Sequence, residues 1–201
     1  MALGPILMQI ILQAYNVSSL GINVWAFQVA NGLSSTTLTA IMSALSGSFL
    51  VVIPLVALYL YFKKDMDAFS FIVAAVLLYV VADIIKFIVM EPRPCSIVGE
   101  ITWIPSNLCE TSFSFPSAHA TVLSGLTLFL RKYNYLRILY LVWLLLILFG
   151  RVYLGEHYLT DVIAGVLISI AVSYALLRYK DRINGVVNNI VKKIIPSAAI
   201  K

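Results

Sequence analysis

Charged side chains are scarce in this chain, and their scarcity excludes most soluble folds. They make up only 11% of the 201 residues, whereas hydrophobic residues make up 61%, far from the balance of a typical soluble domain. The first 35 residues carry no charged side chain at all, so the chain lacks the basic start of a secretory signal. This composition indicates a protein embedded in a lipid bilayer.

Five apolar runs are candidates for crossing the membrane, at about residues 37–62, 68–90, 117–130, 136–154 and 159–177. A span needs roughly 20 apolar residues, and the third run reaches that length only with its flanks. Because lipid cannot satisfy exposed backbone groups, these runs should be helices. The sequence therefore predicts an all-α fold, a polytopic bundle of five or six transmembrane helices. Residues 1–35 form either the sixth span or a segment at the membrane interface.

Basic residues fall mainly on one side of this predicted bundle. Alternate links and the tail hold 11 of the 14, namely Lys63, Lys64, Arg131, Lys132, Arg137, Arg178, Lys180, Arg182, Lys192, Lys193 and Lys201. The positive-inside rule makes that side cytoplasmic. We therefore divide the chain into an N-terminal segment (1–35), a transmembrane core (36–178) and a basic cytoplasmic tail (179–201), which is either an amphipathic surface helix or a solvated end. The net charge of +5 then needs no nucleic-acid partner.

The chain has only two cysteines, Cys95 and Cys109, and both fall in the long external link 91–115. In an oxidising compartment this location favours a disulfide, which would close a loop of roughly 15 residues and stabilise the fold by about 3 kcal/mol. Two cysteines alone cannot complete a tetrahedral zinc site, so we expect no metal there.

Two short stretches near this link could bind a phosphate. In the first, six residues separate Lys86 from Arg93-Pro94, and ammonium and guanidinium groups both suit phosphate oxygens. The second, Pro116-Ser117-Ala118-His119, opens the third span with free N–H groups, a hydroxyl and a histidine. Each stretch also has an ordinary interpretation: a snorkelling lysine with an arginine on lipid headgroups, or a helix cap with a core histidine.

A third stretch adds a candidate nucleophile. Five residues separate Arg151 from His157, and His157 and Asp161 are four apart, a spacing that places both on one helix face. A carboxylate on one ring nitrogen fixes the tautomer and leaves the other nitrogen free to attack. The alternative is an ordinary polar pair at the membrane boundary.

All three stretches map to the external side, and together they hold two histidines and three cations. Phosphoryl transfer needs these groups: a nucleophile, an acid, and a clamp on the developing charge. Cationic side chains supply the positive charge, so we expect no metal and no cofactor. Glu91 and Glu156 also lie near the site, and because carboxylates repel phosphate we expect them at the rim or in solvent.

These motifs resemble the tripartite signature of the type 2 phosphatidic acid phosphatase superfamily, and the resemblance covers residues 86–161. It implies that His157 attacks phosphorus and forms a phosphohistidine, that Asp161 orients it, and that His119 protonates the leaving oxygen. It also implies that the phosphoryl oxygens are bound by Lys86, Arg93, Ser117, Ala118 and Arg151.

Two positions depart from the family pattern. Ala118 stands where the family often has glycine, and Gly150 stands where it often has serine. Alanine keeps its N–H but restricts the backbone, and glycine removes one possible hydroxyl contact. Neither change removes a group that performs the chemistry.

The resemblance also bears on the substrate, which should be an amphipathic phosphate ester. Small members that face outward resemble the phosphatases that recycle polyprenyl pyrophosphate carriers, so we expect undecaprenyl or dolichyl pyrophosphate to be cleaved to the monophosphate. Phosphatidic acid and phosphatidylglycerol phosphate are the alternatives, since the motifs bind only the phosphate. A lipid phosphotransferase would use the same residues, whereas a lipid-phosphate binder or transporter would not need His157. We expect a multi-pass cell-membrane protein whose partners are the lipid substrate and the bilayer, with no obligatory protein partner.

Overall fold

The fold is all-helical over the residues that the structure describes. This computed structural model describes residues 21–97 and 109–194, and within those ranges it contains no β-strand. The helices are α1 (Gly21–Gly32), α2 (Thr36–Gly47), α3 (Phe49–Phe62), α4 (Asp67–Val89), α5 (Pro94–Ile97), α6 (Ala118–Leu126), α7 (Asn134–Tyr153), α8 (Leu159–Arg178) and α9 (Lys180–Ile194), with a 3-10 helix at Thr127–Leu130 after α6. The all-α prediction is confirmed. Of the segment 1–35, residues 1–20 lie outside the described ranges.

Three helices in the described ranges, α4, α7 and α8, are long and apolar enough to cross a membrane. Helices α2 and α3 are together long and apolar enough to cross a membrane, but the angle between them is 42°. The run 37–62 is therefore not one straight helix. Ser48 ends α2, because its N–H and its hydroxyl both donate to the carbonyl of Leu45, at 3.1 and 2.6 Å. The run 117–130 is the shorter α6 with its 3-10 extension.

Helix α6 packs most closely against α4 and α8, and residues 120–126 are all buried. Gly165 lets α8 approach, since a Cβ at this position would lie 2.9 Å from the carbonyl oxygen of Ser117 and 2.9 Å from Cβ of Ala120. A larger residue would separate the two helices, because protein interiors leave no spare volume. This close crossing fixes the start of α6 beside the start of α8.

The last helix, α9, packs on α4 through polar side chains. Oδ1 of Asn184 accepts hydrogen bonds from the N–H and the hydroxyl of Ser70, at 3.0 and 2.7 Å, and Nζ of Lys180 lies 3.1 Å from Oδ1 of Asp67. Val186 and Ile190 are exposed on α9. The part of the tail that the structure describes is thus a helix docked on the bundle, and residues 195–201 lie outside the described ranges.

Candidate active site

The three sequence motifs meet at one end of the bundle. Lys86 and Arg151 lie in the last turns of α4 and α7, where a helix dipole favours positive charge. Ser117 caps the start of α6, and Asp161 lies in the first turn of α8. Met90 caps the end of α4 in a left-handed conformation with φ of 53°, so the helix stops just after Lys86. The site is therefore built from converging helix ends.

His157 is oriented by the carboxylate of Asp161. Its Nδ1 lies 3.6 Å from Oδ2 of Asp161 and 3.5 Å from Oγ of Ser114. Oδ2 accepts hydrogen bonds from the N–H of Tyr158, at 2.9 Å, and from the hydroxyl of Ser114. On the other side of the ring, Nε2 lies 3.3 Å from Nη1 of Arg93. Burial, reinforced by the neighbouring cations, holds the pKa of His157 well below its ordinary value. This shift favours the neutral imidazole, and a proton on Nδ1, the nitrogen that faces Asp161, leaves the lone pair on Nε2.

The contact between His157 and Asp161 arises differently from the sequence expectation. One shared helix face was expected, but α8 begins at Leu159, so His157 lies before the helix. Asp161 belongs to a capping box with Tyr158, and its carboxylate turns back to the N–H of that residue. The structure does bring the two side chains close together, but the cause is helix capping rather than helical periodicity.

Two guanidinium groups at the site share two carboxylates. Nη2 of Arg93 lies 2.5 Å from Oε2 of Glu110, and Nη2 of Arg151 lies 2.9 Å from Oε1 of the same side chain. Oε2 of Glu156 lies 2.8 Å from Nη1 of Arg93 and 3.5 Å from Nη2 of Arg151. The arginine side chains are only 2% and 4% exposed. Such buried cations need paired charges, and the carboxylates supply them.

The expectation that Glu91 and Glu156 lie at the rim is wrong, because they are 7% and 5% exposed. Glu156 is a counterion of the arginines. Glu91 lies near Asp161, and burial together with that charge raises the pKa of Glu91 to about 8. Sequence reasoning also missed Glu110 and Ser114. Both lie in the link 91–115 between recognisable motifs, where the sequence gives no signal for them.

Lys86 holds the segment that leads into α6. Its Nζ donates to the carbonyl of Phe113 and lies 3.4 Å from the carbonyl oxygen of Ser114, while the N–H of Ser114 donates to the carbonyl of Glu91 at 2.7 Å. The lysine therefore fixes the backbone that presents the Ser114 hydroxyl to Asp161.

The second motif forms the start of α6. Ser117 is the N-cap, and its Oγ accepts a hydrogen bond from an N–H of the first turn at 3.4 Å. Pro116 therefore precedes the helix instead of occupying the first turn, and Ala118 is the first helical residue. The ring of His119 packs edge-on against Phe49, with 4.7 Å between centroids. Its Nε2 has no hydrogen-bond partner in the part of the chain that the structure describes.

His119 lies between two cavities. The first has a volume of about 230 Å³, and its lining includes the polar or charged residues Ser46, Glu110, Arg151 and Glu156. The second, of about 290 Å³, is apolar and includes Ile53, Ala75, Val76 and Tyr79. The imidazole thus borders both the ion cluster and a space that suits a hydrocarbon chain.

Cys95 and Cys109 join two parts of the link 91–115. Their sulfur atoms are bonded in the structure, with 6.0 Å between the Cα atoms. The N–H of Cys95 donates to the carbonyl of Gly155 at 2.9 Å, which attaches this end of the link to the turn before His157. Cys109 directly precedes Glu110, so the pairing places that carboxylate beside the arginines.

Comparison with known proteins agrees with this geometry. The PAP2 superfamily pattern matches residues 67–184. An undecaprenyl-diphosphatase of Sulfolobus acidocaldarius is 32% identical over 164 residues, which cover 78% of this chain and 77% of that protein. A lipid A 4'-phosphatase of Bacteroides thetaiotaomicron is 30% identical over 154 residues, covering 69% of this chain and 68% of that protein.

Two solved structures share the fold. The crystal structure of Aquifex aeolicus LpxE has a TM-score of 0.67 at 22% identity, and the match covers 81% of this chain and 99% of that one. A transmembrane PAP2 type phosphatidylglycerolphosphate phosphatase from Bacillus subtilis has a TM-score of 0.64 at 21% identity, covering 88% and 94%. The family pattern spans more than half of the chain, and it includes every motif residue brought together here. This chain therefore belongs to the PAP2 superfamily and is a membrane lipid phosphatase.

Proposed function

We propose that the chain hydrolyses a polyprenyl diphosphate to the monophosphate, through a phosphohistidine formed on His157. The observation that carries this proposal is the orientation of the imidazole, with Nδ1 3.6 Å from Oδ2 of Asp161 and Nε2 3.3 Å from Nη1 of Arg93. Nε2 attacks the terminal phosphorus, and an N–P bond forms as the P–O bond to the lipid monophosphate breaks. The carboxylate then stabilises the cationic ring that results.

His119 gives a proton to the leaving oxygen in this mechanism. Its Nε2 has no hydrogen-bond partner among the described residues, and its ring borders both the ion cluster and the apolar cavity. The leaving oxygen of the lipid monophosphate would therefore lie beside it, with the hydrocarbon chain in the apolar cavity. A water then attacks the phosphohistidine and gives a proton to His119, which breaks the N–P bond, releases orthophosphate and restores both histidines to their starting states.

The phosphoryl oxygens are held by cations and by the start of α6. Arg93 and Arg151 lie close enough to share the carboxylates of Glu110 and Glu156, so one phosphate could contact both guanidinium groups. The start of α6, at Ser117 and Ala118, offers N–H groups to an anion, and Lys86 adds a third positive charge. These charges supply the electrostatic stabilisation without a metal.

The identity of the lipid rests on the relatives and on the apolar cavity. The Sulfolobus acidocaldarius relative is an undecaprenyl-diphosphatase, and the cavity beside His119 suits a hydrocarbon chain. The bias of basic residues towards the opposite end favours an external active site in the cell membrane. Phosphatidic acid, phosphatidylglycerol phosphate and transfer to a lipid acceptor are second candidates, because other relatives act on other phospholipids and the same residues would serve.

The test is phosphate release by detergent-purified protein in EDTA, from polyprenyl diphosphate, phosphatidic acid and phosphatidylglycerol phosphate. We expect fast release from the diphosphate, inhibition by orthovanadate, and a loss of roughly 10⁴-fold or more in His157→Ala. Preference for a glycerolipid would identify a different substrate but leave the proposed mechanism unchanged. Activity that disappears in EDTA and returns with magnesium would overturn the metal-free mechanism. Full activity in His157→Ala would overturn the phosphohistidine.

A further inference from the structure

Glu110 uses the same arginine donors that a substrate phosphate needs. Its Oε2 lies 2.5 Å from Nη2 of Arg93, and its Oε1 lies 2.9 Å from Nη2 of Arg151. A carboxylate that bridges two guanidinium groups presents two anionic oxygens, as a phosphate does. A phosphate oxygen therefore cannot take these two N–H groups while Glu110 holds them.

Glu110 can leave this position, whereas Glu156 is fixed. The side chain of Glu110 is 45% exposed, against 7% for Glu156. Nη1 of Arg93 also donates to the backbone carbonyl of Glu156 at 2.9 Å, so main-chain contacts hold that residue in place. The Glu110 carboxylate is already partly hydrated, so little free energy is needed to move it fully into water. Removing the buried Glu156 carboxylate from its ion pairs is costly by comparison.

The charge balance gives the same result. Arg93 and Arg151 carry two positive charges, and the two glutamates carry two negative charges at distances of 2.5 to 3.5 Å. A phosphate dianion added to this neutral group would meet repulsion from both carboxylates. When Glu110 swings out, the arginines regain a net positive charge and two free donors.

We infer that Glu110 is a displaceable carboxylate that occupies the phosphate position between Arg93 and Arg151 and thereby sets the affinity of the site for phosphate. The inference rests on the proposed binding of phosphate by these arginines, but not on the identity of the lipid or on turnover. Glu110 is a specificity residue in this scheme: it keeps the buried arginines paired between turnovers, and it makes weakly charged anions poor competitors.

The experiment measures binding of inorganic orthophosphate and orthovanadate to detergent-purified full-length protein by titration calorimetry. Glu110→Gln keeps the shape and removes the charge, and we expect it to bind both anions at least about tenfold more tightly, the change that a lost competing ion pair of about 1.4 kcal/mol produces. Asp181→Asn is the matched control, because it removes one carboxylate from an exposed position on α9, and its affinity should equal that of the wild type.

Glu110→Asp separates displacement from a general field effect. It keeps the charge but is one methylene too short to reach both arginines, so displacement predicts affinity between those of the wild type and Glu110→Gln. A pure field effect predicts no change. Affinity of Glu110→Gln within twofold of the wild type would overturn the inference, and weaker binding would show instead that Glu110 holds the arginines in place. Tighter phosphate binding without lipid hydrolysis would retain the inference and reject the proposed function.

Discussion

Ser114 donates its hydroxyl proton to Oδ2 of Asp161. That oxygen is also the one that faces Nδ1 of His157, at 3.6 Å. The serine is completely buried, so no water replaces this hydrogen bond if the hydroxyl is removed. Ser114 thus positions the carboxylate that orients the proposed nucleophile, although it lies outside every sequence motif.

We predict that Ser114→Ala lowers kcat for lipid phosphate hydrolysis about 10-fold to 100-fold and leaves KM nearly unchanged. A hydrogen bond to a charged group contributes about 1.5 to 3 kcal/mol, and each 1.36 kcal/mol of barrier is tenfold in rate. Ser124→Ala is the control, because it removes another buried hydroxyl, one that has no partner among the described residues. Equal kcat values for the two variants would show that Ser114 does not position Asp161.

Glu91 gives a second prediction, on pH and stability. Burial and the Asp161 charge raise the pKa of Glu91 to about 8, from an ordinary value of 4.5. Because the pKa is higher in the folded state, the stabilisation that the protonated carboxyl contributes is complete below pH 4.5 and is lost as the pH rises through about 8. Glu91→Gln cannot titrate, so we expect the difference in Tm, variant minus wild type, to grow between about pH 5 and about pH 8.5.

Thermal unfolding in detergent at these two pH values measures that difference. Asp181→Asn is again the matched control, since its carboxylate is exposed, and its Tm difference from the wild type should be the same at both pH values. A Tm difference for Glu91→Gln that stays constant or shrinks as the pH rises would show that the folded protein does not hold Glu91 protonated.

The sequence predicted that the residues of the three motifs come together, and it did so for a physical reason, while their catalytic roles stay predictions. Their spacings, such as the three residues between His157 and Asp161, do not depend on the tertiary structure. The charge distribution also grouped these motifs at one end of the bundle without any knowledge of packing, because alternate links of a helical membrane protein must lie on the same side. The apolar runs gave the helices for the same kind of reason.

The contacts that could not be predicted depend on tertiary placement. Glu110 reaches Arg93 and Arg151 from the link 91–115, and nothing in its sequence neighbours distinguishes it from a solvated carboxylate. The break at Ser48 is only partly local, because besides its hydrogen bonds to Leu45 the Ser48 hydroxyl accepts one from Nε1 of Trp143 at 2.9 Å, on a helix far along the chain. Which charged side chains pair in the interior depends on the tertiary fold. The spacing of residues along the sequence does not indicate these pairs.

The pairing of Cys95 with Cys109 gives a third prediction. The bond closes a loop with a sequence separation of 14, which in the chain-entropy model contributes about 3 kcal/mol to stability. We expect Cys95→Ser with Cys109→Ser to lower the Tm, and dithiothreitol to lower the Tm of the wild type but not of the double variant. Two free thiols in freshly isolated membranes, seen by mass spectrometry after alkylation, would contradict the disulfide.

The apolar cavity beside His119 gives the last prediction. Ala75 lines it and is only partly buried, so Ala75→Phe would fill part of a space of about 290 Å³. If that space holds the substrate chain, the variant should raise KM for a long-chain diphosphate about tenfold, because several buried methylenes at about 0.8 kcal/mol each lose their contacts. It should leave hydrolysis of a short, water-soluble phosphate ester unchanged.

Val80→Phe is the control, since Val80 is an exposed residue of the same helix and its substitution should affect neither substrate. An equal loss with both substrates in Ala75→Phe would indicate damage to the catalytic groups, and an unchanged KM for the long chain would place that chain elsewhere.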